Sequence, residues 1–187
     1  MFTPFRRDPV AEAAALAYRR VVEQARQRAF FLEGGVPDTL DGRFELICLH
    51  AFLFLHRLKR EHPDAAAFGQ RFFDAMFADF DRSLREMGTG DLSVGREVKR
   101  MAEAFFGRIG AYEQGLEADD AALRPALARN LFGTAPQPEE RLDAMTSYVR
   151  REAAGLNGQS AATLLAGRIA FGDPLLAAPA GTAAAGR

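Results

Sequence analysis

Apolar residues return every three or four positions over most of this chain. The cleanest series is Val94, Val98, Met101, Phe105, Ile109, Tyr112 and Leu116, a spacing that lays one stripe along an α-helix. Phe68, Phe72, Met76, Phe80, Leu84 and Met87 form a second series, widened by Phe73 and Phe77. From Thr39 to about Glu61 two stripes run together. One is Phe44, Ile47/Cys48, Ala51, Leu55 and Leu58; the other is Leu46, Leu49, Leu53 and Phe54. A helix that is apolar nearly all round belongs at the centre of a bundle. Val10, Ala14, Ala17/Tyr18, Val21, Ala25 and Ala29 predict an earlier helix, from Val10 to about Phe31. Three later helices are predicted on Leu123, Leu127 and Leu131, on Leu142, Met145 and Val149, and on Leu164, Leu165 and Ile169. No convincing strand and no internal repeat emerges. The pattern predicts an all-α, single-domain bundle of about seven helices.

The polar positions punctuate the pattern. Asp8-Pro9 places a capping acid before a proline at the first helical position. Gly34-Gly35-Val36-Pro37-Asp38 is a stop and a loop, after which Thr39 or Asp41 can cap the central helix. His62-Pro63-Asp64 breaks the chain again. Gly88 ends the next helix, Gly90 prolongs the break, and Asp91 or Ser93 is the expected cap of the one after. Pro125 is expected in the first turn of its helix, because proline removes a donor from any later turn. Pro136-Gln-Pro138 opens the sixth helix, Gly155 to Gly158 closes it, and Ser160 caps the seventh. The domain is expected to span 9–172, between a flexible N-terminus (1–8) and a disordered Ala/Pro/Gly-rich tail (173–187).

Charge and composition exclude several classes. The 187 residues carry 24 basic and 25 acidic side chains, a net charge of −1, so no overall field draws the chain to nucleic acid. One cysteine, Cys48, rules out an internal disulfide and suits a reducing compartment. No stretch approaches the ~20 apolar residues of a membrane span, and no apolar run follows Arg6-Arg7 as a secretory signal requires. The expected location is cytoplasmic. Sixteen Phe against three Tyr and no Trp mark a chain whose aromatics favour burial.

Chemistry-bearing residues are present but out of phase. His50, His56 and His62 lie six apart, which on a helix turns successive side chains about 120° from one another. Cys48 and His50 point to nearly opposite faces, and so do the carboxylates of Asp79-Phe-Asp81. Arg71/Asp74, Asp79/Arg82, Asp81/Arg85 and Arg82/Glu86 do converge, as ion pairs on one helix surface. Gly88-Thr-Gly-Asp91 lacks the Lys-Ser/Thr and the preceding strand of a phosphate loop. Ser83, Ser93 and Ser160 have no recognisable base. No catalytic residue, metal site or cofactor is assigned from these residues. The chain reads as a scaffold carrying a shaped surface.

Several blocks in fixed order carry a resemblance. Val36-Pro-Asp-Thr-Leu-Asp-Gly-Arg-Phe44 is followed by Leu49-His50 and Arg57-Leu58. Asp79-Phe-Asp-Arg-Ser-Leu-Arg-Glu-Met-Gly-Thr-Gly-Asp-Leu-Ser-Val94 comes next, then Phe106-Gly-Arg108 with Ala111-Tyr112, then Ala128-Arg-Asn130. From about residue 22 to 132 the chain resembles the ubiquinol–cytochrome c chaperone family, whose members assemble the respiratory cytochrome bc complex. The resemblance implies a non-enzymatic, all-α chaperone that binds newly made cytochrome b. It also brings the ribosome and a small partner protein into consideration. Without a long N-terminal targeting extension, the chain looks like a bacterial member.

The contact surface implied for the client comprises Asp38, Arg43, Asp79, Asp81, Arg85, Glu86, Asp91, Arg108 and Tyr112. An exposed apolar patch bordered by the Asp79–Asp91 charges is what such a surface needs. Two alternatives compete: a heme- or quinone-handling protein built on His50, and a membrane-peripheral domain anchored by Phe2, Phe5, Arg6 and Arg7.

Overall fold

Asp8 accepts hydrogen bonds from the backbone N–H groups of Val10 and Ala11, both at 3.1 Å, and Pro9 follows as the first helical residue. The computed structural model describes residues 8–59, 61, 64–133 and 137–174. Their regular secondary structure is entirely helical: α1 (Pro9–Ala25), α2 (Ala29–Leu32), α3 (Leu40–Leu58), α4 (Asp64–Glu86), α5 (Asp91–Glu117), α6 (Asp120–Leu131), α7 (Glu139–Asn157) and α8 (Ala161–Leu165). Phe2, Phe5, Arg6, Arg7 and His62 lie outside the described residues, as does the expected tail from 175 onward.

α3 is the hub. Leu46 to Phe54 is buried without interruption, and α1, α4, α5, α6 and α7 all pack on it. The two interleaved apolar stripes require this, because a helix with no polar face must be covered on every side. Thr39 caps α3 by accepting from Gly42 N–H at 3.2 Å. Gly42 itself has no room for a side chain: an added Cβ would sit 2.0 Å from the Pro37 carbonyl oxygen. The loop before α3 therefore folds directly against its first turn.

The end of α4 is a helix stop of defined geometry. Gly88 takes φ +86°, its N–H bonds to Arg85 C=O, and Thr89 N–H bonds to Leu84 C=O. This is the Schellman arrangement, which glycine favours because it carries no Cβ.

Two arginines finish neighbouring helices from outside. Arg57 on α3 donates to the carbonyls of Leu156, in the last turn of α7, and of Gln159 just beyond it, at 3.2 and 3.1 Å. Arg150 on α7 donates to Gly115 and Leu116 at the end of α5, at 3.1 and 2.9 Å. Both bond carbonyls at a helix C-terminus and set positive charge at the negative pole of the helix dipole.

Four boundaries differ from the expectation. The first helix ends at Ala25 rather than near Phe31, and α2 follows as a separate turn. The break lets Phe30 pack edge-on against His50 and Tyr148, at 5.2 and 5.1 Å, so tertiary packing overrides a locally helical sequence. Pro125 lies in the second turn of α6, because Asp119 caps the helix by accepting from Ala122 N–H at 3.0 Å. Neither Asp91 nor Ser93 caps α5; Gly90 takes that position, and the Asp91 carboxylate is held instead by Arg85. Ile169 is buried but lies beyond α8, in an extended strap.

That strap, 168–174, is tied down side by side with α7. Gln159 bonds both the N–H and the C=O of Ala170, at 3.0 and 2.7 Å. Gly172 donates to Glu152 at 2.7 Å and accepts from Gln24 at 2.9 Å. Asp8 and Asp173, at the expected edges of the flexible ends, are both engaged, Asp173 through an Arg151 donor to its carbonyl.

Candidate functional site

The first turns of α3, the second half of α4, the middle of α5 and the end of α6 do not close against one another. They leave a groove of about 770 Å³. Its floor is apolar: Phe44, Ile47, Phe80, Leu84 and Met101. Phe44 and Phe80 meet edge to face at 5.4 Å. Its walls carry both signs of charge: Arg26, Arg43, Arg100, Arg108 and Arg129 against Asp41, Glu45, Asp79 and Glu86. At its mouth Leu40 is 55% exposed and Met87 53% exposed. Leu92, almost fully exposed, stands just past the Gly88 turn.

One ion pair is built into the wall. Both nitrogens of one edge of the Arg108 guanidinium engage the two carboxylate oxygens of Glu45, and a third donates to Ala104 C=O at 2.8 Å. The guanidinium also lies 5.5 Å from the Phe44 ring centre. Glu45 is buried, and that burial raises its carboxyl above the ordinary range although Arg108 pulls the other way. The pair joins α3 to α5 and fixes the register between them. An acid on the core side of an otherwise apolar helix needs such a partner. Glu45 was not among the expected surface residues. The signal for it was its place between Phe44 and Leu46.

Asp79 is the second fixed point. Its Oδ2 accepts from the Tyr18 hydroxyl of α1 at 2.8 Å, and its Oδ1 accepts from Arg82. Burial, and then the bond to Asp79, push the Tyr18 hydroxyl far above its ordinary range, so it is always a donor.

The nine expected contact residues divide into groups. Arg43, Asp79, Glu86 and Arg108 line the groove together. Asp38 stands at its edge, paired with Arg43 at 2.7 Å. Asp81, Arg85 and Asp91 form a separate chain of ion pairs outside it, with Arg85 bridging the two acids. Of the four pairs expected on α4, Arg82 turns to Asp79 rather than Glu86, and the others form. Tyr112 is fully buried beside Phe52 and packs in the core, away from any surface. Tyr18, Arg26, Glu45 and Arg129 enter the groove's description from the structure alone.

The histidine-centred alternative meets a specific obstacle. His50 is fully buried, and its Nδ1 lies 2.7 Å from the Leu46 carbonyl. A carbonyl only accepts, so Nδ1 carries the proton and Nε2, 2.7 Å from the Tyr148 hydroxyl, accepts. Both ring nitrogens are thus engaged, and neither is free to ligate a heme. Cys48 is buried and its thiol is pushed well up, which makes it inert. Among the described residues no cluster of three or more His, Cys, Asp or Glu side chains could hold a metal ion. No helix among them is long and apolar enough to cross a membrane.

A second groove, of about 500 Å³, lies between α3, α4 and α5 near Phe52, Leu55, Phe73 and Phe106. Its walls are mostly apolar, and Lys59 and Glu113 pair at 2.8 Å in its lining.

Known proteins resemble the chain in sequence and in fold. The sequence model of the ubiquinol-cytochrome C chaperone family matches residues 32–171. The match runs past Asn130, the last residue of the blocks that carry the resemblance, through α7, α8 and most of the strap. Over 140 residues the chain is 29% identical to ubiquinol-cytochrome-c reductase complex assembly factor 1 of Xenopus laevis, covering 75% of this chain and 70% of that protein. Its counterpart from Homo sapiens is 28% identical over 153 residues, 82% of this chain. The chain spans about half the length of the human and mouse relatives it matches (51% and 52%). Among solved structures, the Cbp3 homolog from Brucella abortus superimposes with a TM-score of 0.78 at 40% identity, over 88% of this chain and 91% of that one. The all-α chain described here belongs to the ubiquinol-cytochrome C chaperone family.

Proposed function

We propose that this chain is an assembly chaperone that binds newly made cytochrome b and holds it, without catalysis, during assembly of the ubiquinol–cytochrome c reductase complex. The observation that carries the proposal is the groove between α3, α4, α5 and α6. It combines an apolar floor, walls of both charge signs and exposed Leu40 and Met87 at the mouth. A segment of a membrane protein outside its bilayer offers apolar side chains beside charged loop residues. A surface of this composition shields the first and pairs with the second. The relatives named as assembly factors of the same complex support this reading. Work at the cytoplasmic face of the inner membrane, as a peripheral protein, follows from the client's own location.

The test is genetic. Deletion of the gene is expected to lower cytochrome b and the assembled complex together, and re-expression of the chain to restore both. Unchanged levels of cytochrome b after deletion would remove the proposal.

A further inference from the structure

Asp79 is held by two donors of opposite character. Tyr18 is 6% exposed, its ring packs edge-on against Phe72 at 5.8 Å, and its hydroxyl donates to Asp79 Oδ2 at 2.8 Å. Arg82, on the other oxygen, has a side chain 66% exposed, whereas that of Asp79 is 18% exposed and lines the groove. Arg82 is a long side chain with its head largely in water, and holding such a chain in one geometry offsets part of what the pair contributes. Arg26 also lines the groove, and its charge is felt at the Tyr18 hydroxyl, but it makes no ion pair with Asp79.

We infer that Arg82 is an internal stand-in, and that a lysine or arginine of the bound cytochrome b segment displaces it and pairs with Asp79. Tyr18 is then a positioning residue. It keeps Oδ2 fixed, so that Oδ1 is the oxygen set free when Arg82 leaves. The incoming cation meets an acid already largely withdrawn from water, next to the Phe80 floor, where a charge pair is stronger than at the surface. The exchange also leaves no buried carboxylate unpaired in either state, so neither the empty nor the loaded chaperone carries that penalty. Arg82, one turn further along α4, swings out into water at little cost.

This inference rests on the proposal that the groove holds cytochrome b. It is tested with the tagged full-length chain expressed in its own host, measuring cytochrome b recovered per mole of chaperone. Arg82→Gln is expected to raise recovery severalfold, because it removes the competitor. Asp79→Asn is expected to lower it about tenfold, the scale of one desolvated charge pair. Tyr18 can still donate to the Asn carbonyl oxygen, so the thermal midpoint of Asp79→Asn stays near that of the wild type. Tyr18→Phe should fall between Asp79→Asn and wild type, and the Asp79→Asn, Arg82→Gln double variant should match Asp79→Asn alone. If Arg82→Gln recovers no more than wild type, or Asp79→Asn recovers as much, the stand-in is overturned while the chaperone reading stands. If wild type recovers no cytochrome b, both fall.

Discussion

The Tyr148 hydroxyl donates to His50 Nε2 across 2.7 Å and accepts from Gln24 at 2.9 Å, so one buried chain of bonds ties α7 to α3 and α1. The His50 proton sits on Nδ1, facing the Leu46 carbonyl. Burial lowers the pKa of His50 from its ordinary 6.5 to about 4. Below pH 6.5 the unfolded chain takes up a proton that the native chain refuses. Stability is therefore full above pH 6.5 and declines as pH falls toward 4, by about 1.4 kcal/mol per unit and about 3 kcal/mol in total. Urea unfolding of wild type and His50→Gln from pH 7.5 to 4.5 checks this. The variant should be weaker at neutral pH, with the difference narrowing as the solution is acidified.

Glu45 and Arg108 are paired where the groove meets the core. Removing one partner strands the other: Glu45→Ala is expected to cost about 2–4 kcal/mol, somewhat less than a fully buried pair because Arg108 is partly exposed. Replacing both by Met should recover much of that loss. Chemical denaturation of Glu45→Met, Arg108→Met and the double variant gives the coupling energy directly. A double variant as weak as the sum of the singles would show that the pair does not act as a unit.

Gly42 lines the groove and touches the Pro37 carbonyl. Gly42→Ala must push the preceding loop away, at a cost of about 1–3 kcal/mol. The loop carries Asp38 and the α3 cap Thr39. The variant should therefore lose thermal stability and cytochrome b recovery together, which a melting curve and an affinity pull-down would register side by side.

How much of this was legible from the chain follows from the range of the interactions. Caps and stops are local, and Asp8-Pro9, Thr39, Ser160 and Gly88 all act where sequence places them. The centrality of α3 is also local information, since two apolar stripes on one helix leave no face for water. The break at Ala25 was not legible. Nothing near Arg26 ends a helix; Phe30 is drawn away by His50 and Tyr148, which lie far along the chain. Asp91 looked like a cap until Arg85, folded back from α4, claimed its carboxylate.

The groove shows the same division. The charges of α4 were visible as a crowded polar face, but helical phase alone could not say which oxygen met which partner. Tyr18 reaches Asp79 from 61 residues away and Arg108 reaches Glu45 from 63. Tyr112 misled because a tyrosine at the edge of a motif suggests a contact surface, whereas its ring is needed against Phe52.

Leu40 and Met87 are exposed apolar residues with no packing duty at the mouth of the groove. Leu40→Asp with Met87→Asp is expected to leave the thermal midpoint within about 2 °C of wild type, as surface substitutions usually do. Recovery of cytochrome b should fall severalfold. Melting by circular dichroism and the pull-down separate the two effects.

The most direct test of the central claim is site-specific photocrosslinking in cells. A benzophenone amino acid is placed at Leu40 or Met87 within the groove, and at Leu32 or Phe106, which are exposed apolar positions outside it. The account predicts an adduct containing cytochrome b from Leu40 and Met87, and none from Leu32 or Phe106. Adducts with cytochrome b from Phe106 or Leu32 but not from the groove positions would contradict it.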